Sequence, residues 1–444
     1  MPVGKVLYIK KIRAYAHCCF LASFLMFGHD VSAVTVEEQI VKAEQGSVSA
    51  MVELGHYYLG QEGDKHEAYR WFLQAARQND MEARKQIINM YLDGVGIDKN
   101  PEKAVYWLGL LAEDGDIEGQ YLYGRALFTG EGISVNKALA YDWFLQAAGG
   151  GSEAAQEQLA EMYALGNGVE QNLEQAFAWR KQLASTGNVE AEKELAWMYY
   201  RGDGVAVDQA AAFEWFLKAA RNGNLAAVSK VSRMYYVGEG VKKDVEKSFY
   251  WTSEAAHKGV ASAQYNLAMM FAKGDGVDPS EENAAQWFLK AAEQDYLLAQ
   301  NNIAWKYSKG IGVKQDSVQA AYWYSRSAEN GHPAGQYNLG RMFFKGDGVE
   351  RDDAKAFFWW EKAADQGFVL AQGRLGYCFV KGVGVEPDMA RAHLWWTRAA
   401  ANGNEIARRN LEILCAENPD ICKGVSAGER ASEKDQKDEV IVDE

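Results

Sequence analysis

Proline is scarce, with six in 444 residues, and no run of β-branched residues reads as a strand. Together with frequent alanine and leucine, that scarcity excludes a sheet-built fold in favour of a mostly helical chain. A surplus of positive charge is also missing: 47 basic residues face 61 acidic ones, a formal net charge of −14. Lys5, Lys10, Lys11 and Arg13 against Asp30 give the first 33 residues +3, leaving −17 on the remainder. Such a chain repels phosphate backbones and anionic headgroups, which argues against nucleic acid or an anionic membrane face as its partner. The same charge keeps an elongated protein soluble. Asn-x-Ser/Thr acceptors are absent, which leans towards a bacterial source.

Long apolar runs are lacking too. The one candidate, Ala14 to Gly28, is too short for a comfortable transmembrane helix and follows the basic stretch Lys5 to Arg13. With Val31-Ser32-Ala33 offering small residues for cleavage, residues 1–33 read as a secretory signal peptide and the mature chain as starting near Val34. An uncleaved anchor is the alternative. Cys18 and Cys19 lie inside the apolar run, where a lipidated cysteine does not sit. Removal of the signal leaves Cys378, Cys415 and Cys422 in an oxidising compartment. Cys415 and Cys422 flank Asn418-Pro419 and are expected to pair as a disulfide that pins the terminus. Cys378 occupies an apolar helical position and reads as a buried thiol.

What the chain has in abundance is tryptophan at fixed intervals. Trp71, Trp107, Trp143, Trp179, Trp215, Trp251, Trp287, Trp323, Trp359 and Trp395 are spaced by 36 residues without interruption. Ten units on one period mark an array in which each unit packs mainly on its neighbours. Alanine stands three residues before the tryptophan in nine units, with Ser248 in the tenth, and a small pair such as Ala219-Ala220 follows it, so a neighbouring helix can approach closely. These spaced tryptophans are expected to be core residues.

Seven residues before each tryptophan stands a helix N-cap former, from Asp64 and Asn100 to Asp352 and Asp388, which fixes the start of the tryptophan-bearing helix, helix B. Glycine eight residues after the tryptophan ends it in eight units, Asn79 and Asp295 in the other two. Helix A follows, with apolar positions at helical spacing such as Ala263, Leu267 and Phe271. Gly-x-Gly and then Val or Ile closes helix A nine times, the glycines suiting a tight left-handed turn. The first unit is three residues short between Leu54 and Trp71 and keeps only Gly63 before its cap. Asn404 to about Glu417 is a helix A without a partner. Residues 34–422 are thus expected to form the array and 423–444, rich in Lys, Glu, Asp and Ser, a disordered acidic tail.

These units resemble the Sel-one-like repeat, a branch of the tetratricopeptide family. Ala334 to Gly367, with Leu339-Gly340, Phe343, Gly346-Asp347-Gly348-Val349, Lys355-Ala356, Trp359 and Ala363-Ala364, carries the likeness, which runs from about Ser47 to Gly403. The resemblance implies an all-α, right-handed superhelical solenoid of antiparallel helix pairs and an adaptor role. Secreted bacterial members look like envelope scaffolds or host-contact factors. A cysteine-rich subgroup is associated with β-lactam and peptidoglycan-like ligands, but its cysteines in every unit are missing here.

Chemistry-bearing constellations are sparse. Ser134-Val135-Asn136-Lys137 has the Ser-x-x-Lys spacing of β-lactam-reacting enzymes without the accompanying Ser-Asp-Asn or Lys-Thr-Gly, and Asn136 is already a helix cap. The Gly-x-Gly turns lack the third glycine and preceding strand of a dinucleotide site. No histidine spacing suggests a metal, no carboxylate pair stands out, and no cofactor is expected. The repeat varies most on one face of helix A. Eighteen residues after the first nine tryptophans stand Asn89, Arg125, Glu161, Trp197, Arg233, Met269, Trp305, Arg341 and Tyr377, and one turn earlier Tyr121, Tyr265 and Tyr337. Helix A in such repeats usually lines the concave side, and Trp and Tyr beside Arg is the composition of an interface hot spot. The same aromatics could instead pack between neighbouring A helices. The leading expectation is a non-catalytic scaffold, periplasmic or secreted, that grips a protein or peptide through this stripe. The alternative is a peptidoglycan- or β-lactam-binding or -hydrolysing cell-wall protein.

Overall fold

The computed structural model describes residues 36–60 and 64–423. The expected signal peptide with its cleavage before Val34, Gly63 of the shortened first turn, and the tail beyond Lys423 lie outside the described residues. Every regular element among the described residues is an α-helix. The chain divides into two compact units that meet between Leu183 and Ala184, inside the helix Leu173–Ser185. Each is an array of antiparallel helix pairs on the 36-residue period, so the all-α solenoid architecture holds.

Local backbone chemistry explains the regularity. The paired helices are each 13 residues long, as in Asp353–Asp365 and Val369–Lys381. The N-cap side chain of helix B accepts the N–H three residues on in every unit, for example Lys103 N–H to Asn100 Oδ1 at 2.9 Å and Lys355 N–H to Asp352 Oδ1 at 2.8 Å. The cap's own N–H donates back to helix A, as Asp352 does to the Phe343 carbonyl at 3.0 Å, which closes the turn. The expected left-handed residues after helix B are left-handed, including Asn79 (φ 67°) and Asp295 (φ 60°). In the Gly-x-Gly turn the second glycine has a further duty. A Cβ on Gly348 (φ +71°) would lie 2.0 Å from the Ser317 carbonyl oxygen, so this residue is where one unit's turn meets the first turn of the preceding unit's helix B.

The core differs from expectation in one respect. Only Trp107, Trp287 and Trp323 of the ten periodic tryptophans are buried, and the other seven are half-buried. The central ring is one residue later: Phe72, Phe144, Phe216 and Trp360 are 0% exposed, and Trp396 is buried too. The residue three before the tryptophan, alanine in nine units and Ser248 in the tenth, is buried at the inter-helix contact, and the residue after the tryptophan lies one turn from it on the same face, while the tryptophan covers the seam. Helix A accommodates the larger of these rings with glycine. A Cβ on Gly340 would stand 2.6 Å from Trp360 Nε1, and one on Gly376 would stand 2.3 Å from the same atom of Trp396. Their indole N–H groups donate to the Tyr337 and Gly373 carbonyls at 3.1 and 3.0 Å.

A polar ladder that sequence reasoning passed over links the layers. Gln120 and Gln156 in the first unit, and Gln264, Gln300, Gln336 and Gln372 in the second, are buried. Each donates its amide to a carbonyl eight residues earlier, near the end of the preceding helix B, at 3.2–3.4 Å. Each of those carbonyls also accepts the backbone N–H three residues on, as Ala364 does from Gly367 at 2.9 Å, and the glutamine adds a second bond that ties helix A to the end of the preceding helix B inside the core. Glu192 takes the same place as a fully buried carboxylate, accepting from Asn222 at 2.9 Å and facing Lys218 Nζ at 3.1 Å.

Both ends are atypical. Val36–Glu44, a helix not anticipated from sequence, packs on Val48–Gly60 and buries Ala43. At the other end Glu405–Glu417 is followed by the short helix Pro419–Lys423, and Cys415 and Cys422 are joined with Cα atoms 5.6 Å apart. Cys378 is fully buried, and desolvation pushes its thiol up to about 12.

Candidate interaction surfaces

Helix A positions the residues singled out from sequence. In the first unit Tyr121 and Arg125 stand one turn apart on Ile117–Thr129, both half-buried, with the Tyr121 ring 5.9 Å from Phe144. In the second unit Tyr265 packs 5.5 Å from Phe288 and 5.2 Å from Tyr296, and Tyr337 packs 5.4 Å from Phe368 with Arg341 lying 5.9 Å over its ring. Tyr377 lies under the Arg374 guanidinium at 5.7 Å, Trp305 is half-buried, and Arg233 is exposed. Tyr121, Tyr265 and Tyr337 therefore pack against neighbouring rings, and all four tyrosines also keep exposed surface.

The most elaborated position is Trp197, at the end of Val189–Arg201. Its ring meets Phe216 and Tyr200 edge-on at 5.1 and 5.3 Å, and Arg201 and Lys230 lie 4.7 and 5.3 Å from its centroid. Lys230 Nζ stands 3.6 Å over Tyr200 and 3.4 Å from Glu239, whose other oxygen accepts the Tyr200 hydroxyl at 2.8 Å. A half-buried indole between two cations, with the adjoining tyrosine fixed by a carboxylate, is a rigid, partly desolvated contact surface of the type that anchors interfaces.

A second surface went unseen in the sequence because the periodic tryptophans were taken as core. Tyr106, Tyr250, Tyr322 and Phe358, each just before one of those tryptophans, are 45–63% exposed. Each meets the adjacent indole edge-on, at 4.9–5.6 Å. Three residues after the tryptophan a cation covers it in several units, with Lys218, Lys290 and Arg398 at 4.7, 3.9 and 5.0 Å from Trp215, Trp287 and Trp395. The readable signal was Trp-x-x-Lys/Arg at helical spacing.

The Ser-x-x-Lys match resolves into structural roles. Ser134 lies in an exposed turn, Asn136 caps its helix, and Lys137 donates to Asn167 Oδ1 of the next turn at 2.6 Å. No helix among the described residues is long and apolar enough to cross a membrane.

Against known proteins, a family model described as the Sel1 repeat matches residues 48–80, 89–116, 117–152, 153–188, 189–224, 225–260, 261–296, 297–332, 333–368 and 369–404. The chain is similar to a solved protective antigen present in uropathogenic Escherichia coli strains and displaying an SLR fold, at 29% identity and a TM-score of 0.56, over 91% of this chain and 100% of that one. It is also similar to a solved Sel1 repeat protein from Oxalobacter formigenes, at 31% identity and a TM-score of 0.59, over 74% of this chain and 93% of that one. No curated protein matches it.

Proposed function

The chain belongs to the Sel1 repeat family, whose members are protein-interaction scaffolds, and from that premise we propose a non-catalytic scaffold of the bacterial envelope or its surroundings. It leaves the cytoplasm through a cleavable signal peptide and holds a protein or peptide on the exposed surface of helix A residues, Tyr121 and Arg125 in the first unit and Trp197, Arg233, Tyr265, Trp305, Tyr337, Arg341 and Tyr377 in the second. The observation that carries this reading is the Trp197 arrangement, where cations and aromatic edges hold an indole that packs on the buried Phe216 and keeps part of its surface exposed. The joined Cys415 and Cys422 and the basic-then-apolar N-terminus support export.

The test is affinity capture from the native host and its surroundings with protein from Val34 onwards, beside a variant carrying Trp197→Ala, Arg233→Ala, Trp305→Ala and Arg341→Ala. The reading requires a protein retained by the first and lost from the second. The exposed aromatics of helix B favour a second reading, and Tyr250→Ala, Tyr322→Ala and Phe358→Ala together separate the two. Loss of the partner from that variant alone moves the contact to helix B. Export is checked by the mass of the protein recovered from the periplasm or medium, which should begin near Val34.

A further inference from the structure

At the C-terminal end of the second unit three helices bring soft metal ligands to one point. His393 comes from Met389–Ala401, Cys415 from Glu405–Glu417 and Cys422 from Pro419–Lys423. A ring nitrogen of His393 and the two sulfurs all lie within 4.8 Å of one another, and His393 is only 8% exposed. Two thiolates on a tetrahedral zinc stand roughly 3.8 Å apart, given Zn–S bonds of about 2.3 Å, and an imidazole ligand stands at a similar separation from each. Opening the disulfide to that spacing needs a shift shared between the helix end at Cys415 and the five-residue helix that holds Cys422, with the imidazole already alongside.

We propose that, in its reduced form, the Cys415–Cys422 pair together with His393 is a binding site for a thiophilic cation of the zinc type. A dithiol reductant delivers two electrons and two protons to the disulfide, giving two thiols while the reductant closes to its own disulfide. Metal binding then displaces both thiol protons, and His393 donates the lone pair of a neutral ring nitrogen. Three protein ligands leave a fourth position for water or an added ligand. The terminal helices are thus tied either by the disulfide under oxidising conditions or by the metal under reducing ones. This site is independent of the partner-binding surfaces.

The experiment uses the full mature chain, reduced and freed of reductant under anaerobic conditions, with cobalt(II) as the spectroscopic probe and zinc as competitor. The expected result is one equivalent of cobalt bound with a sulfur-to-cobalt charge-transfer band, displaced by zinc, and no such band for the oxidised protein. His393→Ala and Cys415→Ser should each weaken binding about 10- to 100-fold or more, since they remove a ligand rather than a group behind one. Cys378→Ser should change nothing. Zinc should also raise the unfolding midpoint of the reduced protein, or restore its helicity if reduction has loosened the end, and leave the oxidised protein unaffected. Absence of the band, binding indifferent to His393→Ala, or binding lost in Cys378→Ser overturns the proposal.

Discussion

Gly340 and Trp360 face each other across the seam between helix A and helix B, and the pair makes a sharp test of how this core is built. Gly340→Ala in a helix interior should by itself stabilise by about 1 kcal/mol. Here the new Cβ would stand 2.6 Å from Trp360 Nε1 and 3.0 Å from the Ala356 carbonyl, while that indole is fully buried and donates to the Tyr337 carbonyl at 3.1 Å. Overpacking costs about 1–3 kcal/mol and the displaced hydrogen bond about 1 kcal/mol more, so Gly340→Ala should destabilise by a net ~1–3 kcal/mol. With Trp360→Phe already in place the clash disappears, because a phenyl ring opposite alanine is the combination present at Ala196 with Phe216 and at Ala268 with Phe288. In that background Gly340→Ala should stabilise by about 1 kcal/mol, a coupling of ~2–4 kcal/mol between the two sites. Urea unfolding followed by far-ultraviolet circular dichroism on the four proteins of the cycle measures it. Additivity within about 0.5 kcal/mol would refute the size-matching argument.

Trp360→Ala should cost about 3–5 kcal/mol and the adjacent Trp359→Ala about half as much, read from unfolding midpoints; equal losses would return the periodic tryptophan to the core. Gly331 (φ +88°) has nothing within 4 Å of an added Cβ, whereas Gly348 (φ +71°) would meet a backbone carbonyl, so Gly331→Ala should cost about 1–2 kcal/mol and Gly348→Ala clearly more by the same assay. His332 caps Pro333–Lys345 by accepting the Gly335 N–H at 3.2 Å, and burial holds its pKa below the ordinary histidine value. The unfolded chain then binds the proton more readily, so this residue's contribution is present above about pH 6.5 and is lost as pH falls through the depressed folded value. His332→Asn, which keeps the cap without titrating, should show a smaller fall in urea midpoint between about pH 7 and pH 5. Cys378, its thiol pushed up to about 12 by desolvation, should be alkylated only as fast as the protein opens, which timed mass spectrometry in graded urea will show.

Features governed by the local backbone were legible in the sequence. The ten N-caps of helix B, the glycines after it and the Gly-x-Gly turns each follow from the conformation of a few consecutive residues, and the structure places them as their chemistry requires. Features decided between helices were less legible. The periodic tryptophan was read as core because it never varies, yet the neighbouring position varies because it is buried against a variable partner: Gly340 and Gly376 face indoles, and Ser232 faces Thr252 with hydroxyls 2.5 Å apart. The glutamine ladder escaped for a related reason. A polar residue on an apolar face looks like an interruption until the carbonyl it donates to, at the end of the preceding helix, is in view.

The same distinction bears on the binding surface. A residue constant in every unit serves the packing that all units share, so a partner can be told from others only by positions that change along the array. Trp197, Arg233, Trp305 and Arg341 satisfy that condition on helix A, and Tyr250, Tyr322 and Phe358 satisfy it on helix B. What separates the faces is how firmly each side chain is held. Trp197 is fixed by two aromatic edges and two cations, so docking against it freezes little that is not already ordered, whereas the exposed Tyr250 of helix B meets one indole edge-on. Preorganised contacts lose less entropy on binding. On that ground Trp197→Ala alone should weaken partner binding more than Tyr250→Ala alone, by about 2 kcal/mol or more if Trp197 is a hot spot, and calorimetric titration giving the reverse order would assign the interface to helix B.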